Sequence, residues 1–302
     1  MKALQQYISE SILGDWSKVD ANKIAAKEKR IKDAERRDDV RLFLNRYYEK
    51  PQTLKISRKS NSNDLFEVVA KGDVVAKTSI PKLINEYFIF VDIEGSFICA
   101  NCHNLTSLEG APEKVGGDFN CSYCDSLTTL KGAPKEIGGN FICRGCNLLT
   151  TLEGAPNKTE GNFNCSGCKS LKSIGLFPKH IGGDFNCSGC KSLTSLNGAP
   201  EKFDGSFRCG SLSITTLKGA PKEVGGDFYC DLSDALKSLE GAPEKVGGNF
   251  NCSSNPSLKS LKGAPKEVGK DFNCEYCKNL INLEGAPKEI GNGFRCRGCK
   301  SL

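Results

Sequence analysis

The sequence predicts a β-rich solenoid with one short parallel strand per 22-residue repeat, preceded by an α-helical and small-β N-terminal cap. A Phe followed two residues later by Cys recurs ten times, and a Pro recurs with the same period. Every step is 22 residues except the 21-residue step from Phe207 to Phe228. A fixed period of this size is typical of a small unit stacked on copies of itself. The repeating Phe residues are Phe97, Phe119, Phe141, Phe163, Phe185, Phe207, Phe228, Phe250, Phe272 and Phe294.

The first part of the chain, residues 1–50, is predicted to be a helical segment. Apolar residues recur at four-residue spacing within 4–12, which indicates a short amphipathic helix. Asp20 or Asn22 can cap a second helix, and Pro51 should end that helix.

Residues 51–96 are predicted to form a small β cap with a degenerate first repeat. Three short segments alternate in strand fashion, and Gly72-Asp73-Val74-Val75-Ala76 is a weakened copy of the Gly-Asp-Phe-x-Cys pattern. The open apolar end of a solenoid must be covered, so we interpret residues 1–96 as this cover. A second binding module is the alternative, because a cap does not need two or three helices.

Residues 97–302 are predicted to form the ten-repeat array. Phe185 and Cys187 illustrate the unit: they are two residues apart, so both point to the inner side of a strand. Leu193 and Leu196 then fill the core, and Gly-Ala-Pro turns the chain. A following apolar residue and Gly-Gly lead into the next strand. The exact strand register stays open, because Leu-x-Gly-Ala could form a second short strand.

The repeat order Pro-x-x-Val-x-x-x-Phe-x-Cys-x-x-Cys/Asn-x-x-Leu-x-x-Leu resembles the leucine-rich repeat, with Phe and Cys at two Leu positions. It departs from that signature by one extra residue before the strand and one after Cys/Asn. The motif Gly-Ala-Pro-x-x-Val-Gly-Gly-Asp-Phe-x-Cys also resembles the repeats of leucine-rich-repeat-like proteins encoded by tailed bacteriophages and prophages. This resemblance implies a non-enzymatic solenoid that binds a host protein in the host cytoplasm, for instance to inhibit a bacterial defence system.

The 17 Cys residues raise the alternative of a zinc site. One interval between Cys-x-x-Cys pairs fits a zinc ribbon. Three arguments favour a ladder of packed, reduced thiols instead. First, the second Cys becomes Leu212, Ser233 or Asn255 in other copies. Second, residues three apart on an extended strand should lie about 10 Å apart on opposite faces, too far apart to share a metal ion. Third, the two His do not occupy equivalent positions in the repeat. We therefore expect no metal and no other cofactor.

Positive charge is concentrated near the N-terminus. Residues 1–60 hold 15 Lys and Arg against 9 Asp and Glu, whereas the remaining 242 residues hold 27 of each. A grip on nucleic acid needs clustered cations, so it could come only from this segment, and we expect no nucleic-acid partner. A zinc- or nucleic-acid-binding regulator remains the main alternative function, and a virion-associated adhesin is a third.

No catalytic motif is recognisable, so we expect no enzyme. There is no nucleophile elbow and no phosphate loop, and the Gly-Gly-Asp-Phe pattern is not followed by a helix. No run of about 18 apolar residues and no basic-then-apolar leader occurs, so neither a membrane span nor a secretory signal is expected. These features and the odd number of Cys predict a cytoplasmic protein with reduced thiols.

The candidate binding residues are departures from the repeat pattern. Outward strand positions should form three polar columns on a concave face: Asp or Asn, then Asn, then Ser. Residues that break these columns with Arg, Tyr or other types are the candidates, because Arg and Tyr are enriched at binding hot spots. They are Ile98, Ile142, Arg144, Arg208, Tyr229, Asp231, Glu275, Arg295 and Arg297.

Two further candidates lie in a turn, and the last coil adds an oligomer hypothesis. Leu176 and Phe177 replace Gly-Ala once, either as an exposed apolar patch for a partner or to refill a local gap. The sequence stops at Ser301-Leu302, halfway through a repeat. We expect either a truncated chain or an end that is buried in a homo-oligomer.

Overall fold

The computed structural model describes residues 21–59, 65–84, 86–175 and 177–302, and in it the chain is a parallel β-solenoid of about ten turns with one helix before it. The predicted fold class is therefore confirmed. The helix predicted within residues 4–12 and the candidate Leu176 lie outside the described residues.

Helix α1 spans Ala21–Tyr47 and ends before Pro51, which opens the 3-10 turn Pro51–Thr53. The helix buries Val40 and Leu44, and Tyr48 directly after it is fully buried. The Tyr48 hydroxyl donates to the carbonyl of Leu83, which satisfies the one polar group of this side chain. The helix end is thus anchored on the first coils.

Four strands lead into the array: β1 (Lys55–Arg58), β2 (Phe66–Ala70), β3 (Val74–Val75) and β4 (Phe88–Ile93). Strand β1 pairs antiparallel with β2 and covers its outer edge, whereas β2 and β4 are parallel. Strand β3 pairs in parallel with the first Phe-containing strand of the array. Residues 72–76, the degenerate repeat, therefore form a coil in register with the copies that follow.

The predicted strand occurs once per repeat at the Phe position, and these strands form an 11-stranded parallel sheet, here called the Phe ladder. Each strand is only two residues long because the chain turns directly after it. After β3 its members are β5 (Phe97–Ile98), β7 (Phe119–Asn120), β9 (Phe141–Ile142), β11 (Phe163–Asn164), β13 (Phe185–Asn186), β15 (Phe207–Arg208), β17 (Phe228–Tyr229), β19 (Phe250–Asn251), β21 (Phe272–Asn273) and β23 (Phe294–Arg295).

The structure adds a second ladder, which in the array is formed by two residues shortly before the next Phe strand, such as Glu136–Ile137, and not by Leu-x-Gly-Ala, which is a turn; in the cap it continues into β4, β2 and β1. It divides into a seven-stranded sheet, β1-β2-β4-β6-β8-β10-β12, and a five-stranded sheet, β14-β16-β18-β20-β22. The strands after β4 are β6 (Lys114–Val115), β8 (Glu136–Ile137), β10 (Lys158–Thr159), β12 (His180–Ile181), β14 (Lys202–Phe203), β16 (Glu223–Val224), β18 (Lys245–Val246), β20 (Glu267–Val268) and β22 (Glu289–Ile290). Each coil therefore has two narrow β-sheet sides joined by turns.

The core lies between the two ladders and is a continuous column of Phe, Leu and Cys. Successive Phe rings of the Phe ladder lie 4.9 to 5.9 Å apart, most of them nearly parallel. Phe97 to Phe272 in this column are fully buried, and Phe294 in the last coil is partly exposed. Stacked rings at this spacing add stabilisation to the burial of apolar area.

The Gly-Ala-Pro turn needs glycine for two reasons, which Gly132 illustrates. Its φ of +89° lies in the region that side chains disfavour, and a Cβ there would lie 2.4 Å from the backbone nitrogen of Glu109 in the preceding coil. The coils can stack this closely only where no side chain separates them.

Candidate partner-binding face

The outward side chains of the Phe ladder form the surface that we call the ladder face, with three columns before, within and after each strand. The first column is structural. The side-chain oxygen of Asp118 accepts the backbone N–H of Asn140 at 2.7 Å, and Asn140 in turn accepts the N–H of Asn162 at 2.7 Å. Equivalent bonds continue along the ladder. Asp, Asn and Ser occur here because each supplies an acceptor to the next coil.

The second column is structural wherever it is Asn. The Asn120 side-chain oxygen accepts the N–H of Ser122 at 3.0 Å, and Asn164 accepts that of Ser166 at 3.0 Å. Such bonds satisfy the backbone N–H of the residue that follows the strand, where the chain begins to turn. The polar columns that were predicted as the default of this face thus make hydrogen bonds to the backbone.

The second Cys of each pair also serves the backbone. The thiol of Cys124 donates to the carbonyl of Cys99 at 3.1 Å, one coil back, and other pairs repeat this bond at 3.1 to 3.2 Å. Asn255 makes the same bond with its amide, 3.1 Å from the carbonyl of Cys230. Asn can replace Cys at this position because both side chains donate to the same carbonyl.

The expectation that the two thiols of a pair lie on opposite faces was wrong. Both Cys99 and Cys102 are fully buried, and so are the corresponding pairs up to Cys274 and Cys277. The strand ends before the second Cys, and a residue with positive φ, such as Asn101 at 58°, turns that side chain inward. The prediction treated the backbone as extended up to the second Cys, whereas the strand ends before it.

Burial favours the protonated form of seven of the thiols. It raises the pKa of Cys99, Cys187, Cys209, Cys230, Cys252, Cys274 and Cys277, that of Cys277 to about 11. Within the described part of the chain, no group of three or more His, Cys, Asp or Glu side chains is placed to share a metal ion.

The candidate residues Arg208, Tyr229 and Asp231 come together on two adjacent coils. Arg208 and Tyr229 are paired in register on neighbouring strands, and the Arg208 guanidinium carbon lies 4.3 Å from the centroid of the Tyr229 ring. The Tyr229 hydroxyl donates to the carboxylate of Asp227 at 3.0 Å, and Arg208 Nη2 lies 3.8 Å from that of Asp184. These contacts hold a cation and a ring together at the surface.

Asp231 lies beside this pair, with its carboxylate against Gly210 of the preceding coil. Partial burial raises the pKa of Asp231, although the positive charge of Arg208 acts in the opposite direction. Burial also raises the pKa of Tyr229, aided by its bond to Asp227. A half-buried carboxylate beside a stacked cation is a polar site that a partner can desolvate and bind.

These residues lie where the repeat itself is irregular. The coil that starts at Phe207 is one residue shorter than the others. It has Leu212 in place of the second Cys, and the next coil has Ser233 there. Leu212 cannot donate to the carbonyl one coil back, and its own N–H donates to the Ser233 hydroxyl at 3.2 Å. The strongest departures in the core and on the ladder face thus coincide.

Two further groups, around Arg144 and around Arg295, lie on either side of this centre, three coils from Arg208 and from Tyr229 respectively. Arg144 lies with its guanidinium carbon 5.8 Å from the centroid of the Tyr123 ring, next to Ile142. Arg295 Nη2 lies 2.8 Å from the carboxylate of Asp271, and this ion pair partly compensates the positive charge of Arg295. Ile98 lies at the first coils, whereas Glu275 and Arg297 share the last ones with Arg295. At about 4.8 Å per strand, neighbouring groups are roughly 14 Å apart.

Sequence reasoning missed three exposed residues of the same face: Tyr123, Leu232 and Tyr276. They are 42, 53 and 49 % exposed, and their φ angles are 57°, 56° and 58°. Four equivalent positions are Gly, which adopts this conformation without strain. A large apolar side chain here costs about 1–3 kcal/mol. The signal was visible in the sequence as Tyr or Leu where other copies have Gly directly before the second Cys.

Phe177 fills a gap in the core, one of the two roles considered for it. Its ring lies 4.6 Å from that of Phe185 and 6.1 Å from that of Phe203. The second ladder is interrupted at this place, since β12 and β14 belong to different sheets. Thr159, one coil earlier, is fully buried, and its hydroxyl has no hydrogen-bond partner among the described residues. Phe177 is thus part of the packing at this interruption.

The chain matches no protein-family model, no curated protein and no solved structure. Among the described residues, no helix is both long enough and apolar enough to span a membrane.

Proposed function

We propose that this chain is a non-enzymatic binding protein that holds a protein partner on its ladder face. The binding centre is formed by Arg208, Tyr229, Asp231 and Leu232. One observation supports this most strongly: the residues that abandon the self-supporting Asn and Ser pattern lie side by side on two adjacent coils.

The chemistry of this centre suits a protein surface. A stacked Arg–Tyr pair beside an exposed Leu offers a ring, a cation and an apolar side chain, and Arg and Tyr are enriched in hot spots. The ordered backbone around them lowers the conformational entropy that is lost on binding. The strained conformation of Leu232 also fits a role outside the fold, because strain of this kind concentrates at functional sites.

The class of partner rests on the resemblance of the repeats. Their likeness to repeat proteins of tailed phages and prophages supports a host protein as the partner and the host cytoplasm as the place of action. A component of a defence system is the partner that we propose on this basis.

Affinity capture from host lysate with matched baits tests the proposal. The baits are the wild-type chain, the double variant Arg208→Ala/Tyr229→Ala, and the control Ser166→Ala/Ser188→Ala, which changes the third column of regular coils. Loss of a hot spot of about 2 kcal/mol weakens binding roughly 30-fold. We expect a protein captured by the wild type and the control to be lost from the hot-spot variant.

A photo-crosslinking residue at position 232 provides an independent readout. It should link to the captured protein, whereas the same residue at Gly167 of a regular coil should not. Capture that is equal for all three baits would show that the ladder face is not the binding surface.

A further inference from the structure

A second charged site lies in the N-terminal cap, away from the ladder face. Helix α1 and strands β1 and β2 enclose a cleft of about 420 Å³. Its helical residues recur at three- and four-residue spacing and so share one face of α1. Four of the residues around the cleft are arginines, two are aspartates, and one wall is the ring of Phe66; the arginines are Arg30, Arg37, Arg41 and Arg58.

Two of these arginines are paired with the aspartates. Arg58 makes two bonds to the carboxylate of Asp33, at 2.6 and 3.1 Å. Arg41 Nη1 lies 3.5 Å from the carboxylate of Asp38. Across the described residues, neither Arg30 nor Arg37 has a carboxylate partner. The cleft therefore presents two uncompensated positive charges.

The Arg37 side chain packs against the protein, but not all of its hydrogen-bond donors have an acceptor among the described residues. Its guanidinium carbon lies 5.7 Å from the centroid of the Phe66 ring, and the side chain is half-buried. Its Nε–H is shielded from solvent and has no acceptor in the described part of the chain. A buried charged donor without an acceptor is unfavourable, and an oxygen of a bound anion would satisfy it. The planar guanidinium matches the geometry of phosphate oxygens.

We propose that this cleft binds a small phosphate monoester, held by Arg37 and Arg30. Such a group carries about −1.5 to −2 charges near neutral pH, which balances the two free cations. The volume is within the range of small-molecule sites. A nucleic-acid strand fits less well, because Asp33 and Asp38 interrupt the row of cations and repel successive phosphates. This activity is separate from partner binding on the ladder face.

Isothermal titration of the full chain tests the site. The probes are inorganic phosphate, adenosine 5′-monophosphate and glucose 6-phosphate, with adenosine and glucose as uncharged counterparts. We expect binding of both esters and none of the uncharged compounds. Arg37→Gln should weaken binding at least about tenfold. Arg37→Lys keeps the charge but not the planar guanidinium, so its affinity should lie between that of the wild type and that of Arg37→Gln.

Lys32→Gln is the matched control, because it removes one positive charge from the opposite side of the same helix and should leave binding unchanged. Arg30→Gln provides a second variant should Arg37→Gln fail to fold by circular dichroism. Equal weakening by Lys32→Gln and Arg37→Gln, or no heat with either ester, would overturn the proposal. A single-stranded oligonucleotide serves as a further probe. The proposal would also fail if this oligonucleotide alone bound, with a steep salt dependence, since the cleft would then recognise a nucleic-acid strand and not a small phosphate monoester.

Discussion

A rise in pH from about 7.5 to about 9.0 should destabilise the array strongly, because unfolding exposes thiols that the fold keeps protonated. In the folded chain, burial raises the pKa of Cys99, Cys187, Cys209 and the other four thiols named with them above. In the unfolded chain each has an ordinary pKa of about 8.5. A group whose folded pKa is raised contributes stability below its unfolded pKa, and this is lost as the pH rises toward the folded value.

The magnitude follows from the fraction of unfolded thiolate. At about pH 9.0 roughly three quarters of each unfolded thiol is ionised, which lowers the free energy of unfolding by about 0.8 kcal/mol per thiol relative to pH 7.5. Seven such thiols together amount to about 5–6 kcal/mol. That is comparable with the whole stability of many domains, about 5–15 kcal/mol.

Urea unfolding at the two pH values, followed by far-UV circular dichroism under reducing conditions, measures this difference. Cys277→Asn is the matched control, because it removes one thiol while keeping a donor of the kind that Asn255 provides. Its loss of stability between the two pH values should be smaller by about 0.8 kcal/mol. A change in the wild type below about 2 kcal/mol would refute the reasoning, because the thiols would then titrate alike in both states.

Three further changes test individual ladders by denaturant unfolding. Asn162→Ala removes the acceptor for the next coil and should cost about 1 kcal/mol, whereas Asn162→Asp keeps it and should cost little; equal losses would contradict the role of the first column. Asn255→Ala leaves the buried N–H of Ser233 and the buried carbonyl of Cys230 without this partner, whereas the Cys252 carbonyl keeps its bond from Cys277, so it should cost about 2 kcal/mol or more. Asn255→Cys should cost less; a larger loss for Asn255→Cys than for Asn255→Ala would argue that the bond to the Cys230 carbonyl is not what this position supplies. Phe163→Ala in the fully buried stack should cost about 3–5 kcal/mol, and Phe294→Ala in the exposed last coil clearly less; similar losses would mean that the stack is not the stabilising core.

The coil period, the inward Phe and the register of the degenerate repeat around Val74 could be predicted from spacing. A side chain two residues from another on a strand must share its face, so Phe185 and Cys187 had only one consistent arrangement. The second ladder was not predictable in this way. Its strands are two residues long and follow a Pro, so neither alternation nor length distinguishes them from a turn.

The candidate face was predicted only in part. Arg208 and Tyr229 stood out by composition, but their stacking across neighbouring strands depends on the pairing register, which the sequence left open. Leu232 was missed because the repeat comparison considered only the outward strand positions, and not the position after them where four copies have a Gly with positive φ. The Asn columns were predicted as a uniform polar surface, but their bonds to the backbone were not predicted, since an Asn that bonds a turn and an Asn that only faces solvent look the same in a sequence.

The acceptor ladder of the first column has a consequence for how such a chain can evolve. In the regular coils each of these side chains accepts the N–H of the following coil, as Asp118 does for Asn140 and Asn140 does for Asn162. Every junction between regular coils is therefore chemically equivalent. In-frame duplication or excision of one whole repeat by recombination between similar gene segments recreates a junction of the same kind. Length can thus drift without loss of folding, while the irregular coils near Arg208 can be inherited as a unit.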